Sequence, residues 1–280
     1  MKNLFAAIFI MLTGSYLHAQ YYYKDIIGTR DFNKTIQLYL SNKVASVEET
    51  GFDAEGMKND DFSETHNLFT DQGLLKIATR NKTEISNEYY RFNEKGLLTT
   101  ITDTSSSLVS TTTYSYDDKN NAVLIKNVVN DANDSIYVNE EHLWFYNDQN
   151  KPVRMLRIVN KTDTTDVRLT LDEKGNVIEE LPFINKISRE KIYYYYDSKN
   201  RLTDIVRFNT KAGRLLPDYM FEYSDNNQVI QKITTIASGD VGYIIWRYSY
   251  GPSGLKAKEA SFNKDKTMIG KIEYAYQFGQ

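Results

Sequence analysis

The stretch Tyr194-Tyr195-Tyr196-Asp197-Ser198-Lys199-Asn200 contains the pattern that decides the fold of this chain. It reads aromatic, any residue, aromatic, Asp or Asn, two polar residues, then Gly or Asn. Such self-similarity, at a spacing of about 23 to 30 residues, is typical of a repeat architecture. Clear, weaker, shortened or half copies begin at Phe52, Phe69, Tyr90, Tyr114, Trp144, Leu169, Phe221, Tyr248 and Tyr274.

The last position of each unit indicates a hairpin turn. A residue with positive φ is needed there, and Gly adopts this conformation freely while Asn does so more readily than other L-residues. A type I turn followed by one left-handed residue and a bulge fits the spacing. The predicted structural turn positions are Gly56, Gly73, Gly96, Asn120, Asn150, Gly175, Asn200, Asn227 and Gly254.

The residues on either side of each turn alternate with a period of two. Tyr114 and Tyr116 face one way while Ser115 faces the other, which is typical of a half-buried antiparallel strand. The sequence therefore predicts an all-β fold, an antiparallel meander of tandem β-hairpins that forms an extended, twisted or curled sheet.

The region before the repeats has a different composition. A basic start followed by an apolar run from Leu4 to Leu12 predicts a cleaved signal peptide at residues 1–19. Residues 20–43 are predicted to be an N-terminal capping segment, with a short helix that Thr29 caps and that covers the exposed end of the sheet. Residues 44–280 are predicted to form the repeat domain.

Composition excludes several classes of protein. The 280 residues include 22 Tyr and no Cys, with 34 Lys+Arg against 37 Asp+Glu and a net charge of −3. The charge balance gives no case for binding nucleic acid. The lack of Cys excludes disulfide scaffolds, thiolate metal sites and lipidated cysteines. We expect an exported protein without a transmembrane segment in its mature chain, either periplasmic, associated with the cell surface or secreted.

One copy of the unit carries a resemblance to a known family. Tyr194-x-Tyr196-Asp197-x-x-Asn200-Arg201-Leu202 resembles the YD repeat of the RHS family, Tyr-x-Tyr-Asp-x-x-Gly-Arg-Leu. The resemblance, looser elsewhere, extends from about Phe52 to Tyr276 and implies hairpins that build extended or spiralling sheets. It also implies a link to surface carbohydrate binding. Large members of the family enclose a C-terminal toxin, and we expect this chain to be a short member without one.

Motifs for catalysis or metal binding are weak in this sequence. His142 and Glu88 lie on the aromatic face and could do acid–base work, although side chains reaching water at a strand edge are the simpler interpretation. Residues 130–135 have the composition but not the spacing of a calcium loop. Asp172, Glu173, Glu179 and Glu180 could supply a glycosidase pair. We expect no catalytic residue, no metal site and no cofactor.

The tyrosines outside the two repeat positions are the remaining candidates for function. Tyr193, Tyr195 and Tyr243 fall on the face opposite to the repeat aromatics, and we predict that they form a binding surface. The sequence favours a non-enzymatic, exported binding or scaffold module for a glycan or a protein. A carbohydrate-active enzyme with an acidic groove and an accessory or immunity partner of a larger RHS-type toxin system remain as alternatives.

Overall fold

The computed structural model describes residues 21–104, 108–131, 137–236 and 242–279, so the predicted signal peptide lies outside the described residues. These residues form one helix, α1 (Lys24–Ser41), a 3-10 turn at Thr70–Gln72, and 19 strands. The strands are β1 Val44–Phe52, β2 Lys58–Phe69, β3 Leu74–Asn81, β4 Glu84–Phe92, β5 Leu98–Asp103, β6 Leu108–Tyr116, β7 Ala122–Asp131, β8 Tyr137–Tyr146, β9 Pro152–Val159, β10 Asp163–Leu171, β11 Val177–Ile184, β12 Ile187–Ser188, β13 Ile192–Tyr196, β14 Leu202–Asn209, β15 Arg214–Tyr223, β16 Val229–Ile236, β17 Gly242–Tyr250, β18 Lys256–Phe262 and β19 Met268–Phe278.

The sheet closes on itself. Each strand pairs antiparallel with its neighbours along the chain, except that β13 pairs with β11 rather than with β12, and β1 pairs with both β2 and β19. Because β12 and β13 both pair with β11, the ring has 18 strand positions. The all-β prediction is confirmed, but the predicted extended, twisted or curled sheet is wrong: the fold is a closed antiparallel β-barrel with one helix. Closure pairs the backbone groups that two free edge strands would expose. It could not be predicted here, because the sequence pattern within a single hairpin does not indicate whether the sheet closes.

The short turns share one geometry. All nine Gly and Asn positions named above have φ between 56° and 84°. In most of these turns the Asp or Asn side chain at the first position accepts two backbone N–H groups, as when Asp197 Oδ1 accepts from Lys199 and Arg201. A further turn has the same bonds around Asn263 with Lys266 at φ 61°, and sequence reasoning missed it because Lys is uncommon in this conformation.

A repeated hydrogen bond connects each of six hairpins to the one before it. The second aromatic residue of the unit is a tyrosine, and its hydroxyl donates to the backbone carbonyl two residues beyond the preceding turn position. Tyr196 Oη, for example, lies 2.9 Å from Val177 O. The other pairs are Tyr116 to Leu98, Tyr146 to Ala122, Tyr223 to Leu202, Tyr250 to Val229 and Tyr276 to Lys256.

Helix α1 lies inside the barrel, towards the end that carries the short turns. Its start follows Tyr23, whose ring packs against Tyr194 of β13, whereas Tyr39 near its end packs against Tyr276 of β19. These strands are six of the 18 positions apart, and Asp25 at the start of α1 pairs with His142 of β8, eight positions from β19, so the helix crosses the interior. The expectation of a short helix capped by Thr29 is wrong, because α1 has 18 residues, begins at Lys24 and contains Thr29 as a buried residue.

The tyrosine bond can be tested by removing one hydroxyl. Replacing Tyr196 with Phe leaves the Val177 carbonyl without its partner, so we expect a loss of about 1 kcal/mol in the free energy of unfolding, measured by urea denaturation. Tyr195→Phe is the matched control, because that side chain points outward and is 47% exposed, and it should change stability little. Equal effects of the two substitutions would contradict a role for the hydroxyl bond.

Candidate functional site

The inner wall holds the start of the helix through a buried carboxylate. Glu180 on β11 is fully buried and accepts the backbone N–H groups of Tyr22 and Tyr23, each at 2.8 Å. The hydroxyl of Tyr194 donates a third bond to the same carboxylate. Burial raises the pKa of Glu180 to about 7, against the three hydrogen bonds, which favour the charged form. Glu180 therefore fixes the position of the residues just before α1.

A second anchor is an ion-pair chain that runs from the helix to the wall. His142 Nδ1 lies 2.5 Å from Asp25 Oδ2 of α1, and its Nε2 lies 2.7 Å from Glu140 Oε1. Arg157 on β9 donates two further bonds to Glu140. Burial opposes the charge on His142, but the two carboxylates raise its pKa to about 9. Burial also opposes the charge on Glu140, yet His142 and Arg157 lower its pKa to about 2.

These anchors revise the predicted acid–base site. His142 is buried between two carboxylates, so the expectation that it reaches water at a strand edge is wrong. Glu88 lies on β4, four strands from β8, and its carboxylate accepts a bond from the Tyr90 hydroxyl. At about 4.8 Å per strand, the two residues stand roughly 19 Å apart around the ring. They do not form a site together.

The four candidate glycosidase carboxylates do not converge either. Glu179 and Glu180 are adjacent on β11 and point to opposite faces, Glu179 towards Lys191 outside and Glu180 towards the helix inside. Asp172 accepts bonds from the amides of its own turn. The loop considered for calcium lies outside the described residues, apart from Asn130 and Asp131 at its start.

A third polar group on the inner wall lies where the ring closes. Glu49 of β1 faces Glu64 of β2, and His66 of β2 contacts both carboxylates. Burial, together with the neighbouring carboxylate of Glu64, raises the pKa of Glu49. This group was not predicted from the sequence, because only the pairing of β1 with β2 brings Glu49 to the other two.

The three predicted binding tyrosines lie on or beside β13 and β17, and their side chains point outward. Tyr195 and Tyr243 are 47% and 40% exposed, and Tyr193 is half-buried. Four strand spacings separate β13 from β17, or roughly 19 Å, so the three rings do not form one platform.

Further side chains fill the space between these tyrosines. Strand register places six residues of β13 to β18 in one line across the outer wall, which we call the outer row: Tyr195, Asp204, Met220, Ile233, Ile245 and Phe262. Five of the six carry large apolar or aromatic side chains, of which Met220 is 38% exposed while Ile245 is buried. Sequence reasoning missed these residues because it followed tyrosine alone rather than every position opposite to the buried face.

The His142 anchor makes stability depend on pH. Because the folded-state pKa lies above the ordinary value of 6.5, the contribution is complete below pH 6.5 and is lost as pH rises through about 9. We expect the free energy of unfolding to fall over this window by on the order of 3 kcal/mol. Urea denaturation at a series of pH values measures this, and His142→Gln should flatten the dependence. Glu141→Gln, on the outer face beside it, should leave the dependence in place; an unchanged slope in His142→Gln would contradict the assignment.

The part of the chain that the structure describes contains no helix long and apolar enough to span a lipid bilayer.

Comparisons with known proteins give structural likenesses only. No protein-family model and no curated protein matches the chain. A crystal structure of TcdB2-TccC3-Cdc42 matches 77% of this chain and 11% of that chain, at 13% identity and a TM-score of 0.34. A Photorhabdus luminescens Tc holotoxin pore matches to the same extent at 12% identity. A porin-like protein from Bacteroides uniformis matches 84% of this chain and 97% of that chain, at 11% identity and a TM-score of 0.38.

The chain thus spans about a tenth of the length of the toxin chains that it matches. At TM-scores below 0.5 these likenesses carry no argument about function. The resemblance to the YD repeat continues to rest on the sequence pattern from Tyr194 to Leu202.

Proposed function

We propose that this chain is an exported, non-enzymatic binding protein that presents the outer row to a protein partner in the cell envelope or outside the cell. The observation that carries the proposal is the row itself. The exposed side chains of Tyr195 and Met220, together with the half-buried Ile233 and Phe262, form the kind of exposed apolar patch that marks an interaction site.

The roles of the titratable groups in the interior favour binding over catalysis. The groups with strongly shifted pKa values, which in enzymes are candidates for acid–base chemistry, here hold the helix: Glu180 accepts backbone amides and His142 joins Asp25 to Glu140. Since α1 crosses the interior, the surface left for recognition is the outside of the barrel.

The shape of the outer wall favours a protein partner over a glycan. The outer wall of a closed barrel is convex, whereas sites that enclose small ligands are concave. The outer row has charged residues within and beside it, Asp204, Glu222 and Arg247, and the guanidinium of Arg247 lies 5.1 Å from the ring centre of Phe262. An apolar centre with a polar rim is typical of a protein interface.

The compartment follows from the N-terminal sequence and from the rest of the outer wall. The signal-peptide pattern predicts export. Ion pairs lie on the outer face away from the outer row, as between Arg154 and Asp166 or Lys126 and Glu141. A wall in contact with lipid is apolar on the outside, so we propose that this barrel works in water, in or beyond the envelope.

The test compares two double variants in a capture experiment. The protein is immobilised, incubated with an envelope extract and with medium from the source cells, and bound proteins are identified by mass spectrometry. We expect Tyr195→Ser/Met220→Ser to lose the specific partner by at least tenfold. Tyr89→Ser/Val109→Ser, which removes outward apolar groups from β4 and β6, should retain it.

A glycan array with the same proteins distinguishes the alternatives. Binding to an array that Tyr195→Ser/Met220→Ser abolishes would replace the protein partner with a glycan. Capture that does not differ between the two double variants would contradict the outer row as the binding surface. Both variants should keep the melting temperature of the unmodified protein within a few degrees, which shows that the barrel remains folded.

A further inference from the structure

Three potential metal ligands converge on the inner wall at the seam where β1 joins β2. One ligand atom each from Glu49, Glu64 and His66 lies within 4.8 Å of the others. His66 Nε2 is 2.8 Å from Glu64 Oε1 and 3.3 Å from Glu49 Oε1. All three side chains are at most 10% exposed, so the group is an inner-wall feature rather than a surface cluster.

The backbone register brings two carboxylates together on the inner wall. Glu49 and Glu64 are directly opposite each other on neighbouring strands and point to the same buried face. Like charges in such a pair are destabilising, and burial makes them more so. Lys256 on β18 is already paired with Glu259 at 2.9 Å. Two facing glutamates on rigid strands therefore form a preorganised site for a cation.

His66 supplies an independent observation. Its ring is buried, and Nδ1 has no hydrogen-bond partner among the described residues. An imidazole whose Nε2 is directed at two carboxylates offers the nitrogen ligand that is common in metal sites.

We propose that Glu49, Glu64 and His66 bind a divalent transition-metal ion, of which Zn²⁺ is the representative. Ligand atoms about 2.1 Å from a tetrahedral Zn²⁺ lie roughly 3.4 Å from one another. The distance of 3.3 Å from His66 to Glu49 already fits this spacing, and the distance of 2.8 Å from His66 to Glu64 would have to increase by roughly 0.6 Å. Imidazole suits zinc, while calcium and magnesium prefer oxygen ligands alone.

A neighbouring hydroxyl supports the geometry. Thr79 Oγ1 on β3 donates to Glu64 Oε2 at 2.6 Å, which leaves Oε1 directed at the site. Such outer bonds hold ligating carboxylates in known metal sites. The ion would join β1 to β2 beside the pairing of β1 with β19, so the expected effect is a more stable ring. This site replaces the expectation of no metal drawn from the sequence.

The experiment uses purified protein without a histidine tag, refolded from urea with EDTA or with ZnCl₂ and then dialysed. Metal content is measured by mass spectrometry of the elements and thermal stability by calorimetry. We expect about one Zn²⁺ per chain and a melting temperature raised by about 3 °C or more. Ca²⁺ and Mg²⁺ in place of Zn²⁺ should give no comparable shift.

Variants separate this site from other possible binding of zinc. Glu49→Gln and His66→Gln should each reduce the affinity for Zn²⁺ at least tenfold and abolish the thermal shift. Glu48→Gln makes the same change of charge on the outer face of β1 and should retain both. If a ligand variant does not fold, the Co²⁺ absorption spectrum of the unmodified protein decides, since nitrogen and oxygen ligation in a four-coordinate site gives intense visible bands. Zinc-free protein after refolding with ZnCl₂, or affinity unchanged in a folded His66→Gln, would overturn the proposal.

Discussion

The hydrogen bond from a repeat tyrosine to a backbone carbonyl of the preceding hairpin is the interaction on which the rest of the barrel depends. A hairpin is fixed by its own turn, but nothing within it decides how it meets the next one. The phenol of Tyr196 does so, because its ring packs on the inner face while its hydroxyl reaches Val177 at the turn end. Repetition of this bond sets the register between hairpins and explains the use of Tyr rather than Phe at this position.

The helix depends on that inner face in turn. The repeat aromatics form a wall of rings on the inner face. Phe32 of α1 stacks on Tyr90, and Tyr23, just before α1, packs edge to face against Tyr194. Burying the start of a helix in such a core leaves amides and charges to satisfy. Glu180 and His142 supply those partners. The groups of this region with strongly shifted pKa values therefore hold the helix against the wall.

The conformation of the turns could be predicted from the sequence, whereas the closure of the barrel could not. The Gly or Asn at each turn reports a backbone conformation that few residues adopt, so Asn200 and Gly254 could be found without a structure. Closure depends on the accumulated twist of many strands, and no single residue indicates it. The same holds for the sites. The outward direction of Tyr195 follows from alternation, but the facing of Glu49 and Glu64 follows from strand pairing. The contact of His142 with Asp25 joins a strand to a helix that is far away in sequence.

The pairing of β1 with β19 has a consequence for how the molecule is made. Val44 meets Phe278, so the ring cannot close until roughly 230 intervening residues have been synthesised and ordered. Until then β1 keeps an unpaired edge that is able to add strands from other chains. Slow maturation and a need for protection from premature association are therefore properties of the topology itself, whatever the barrel binds.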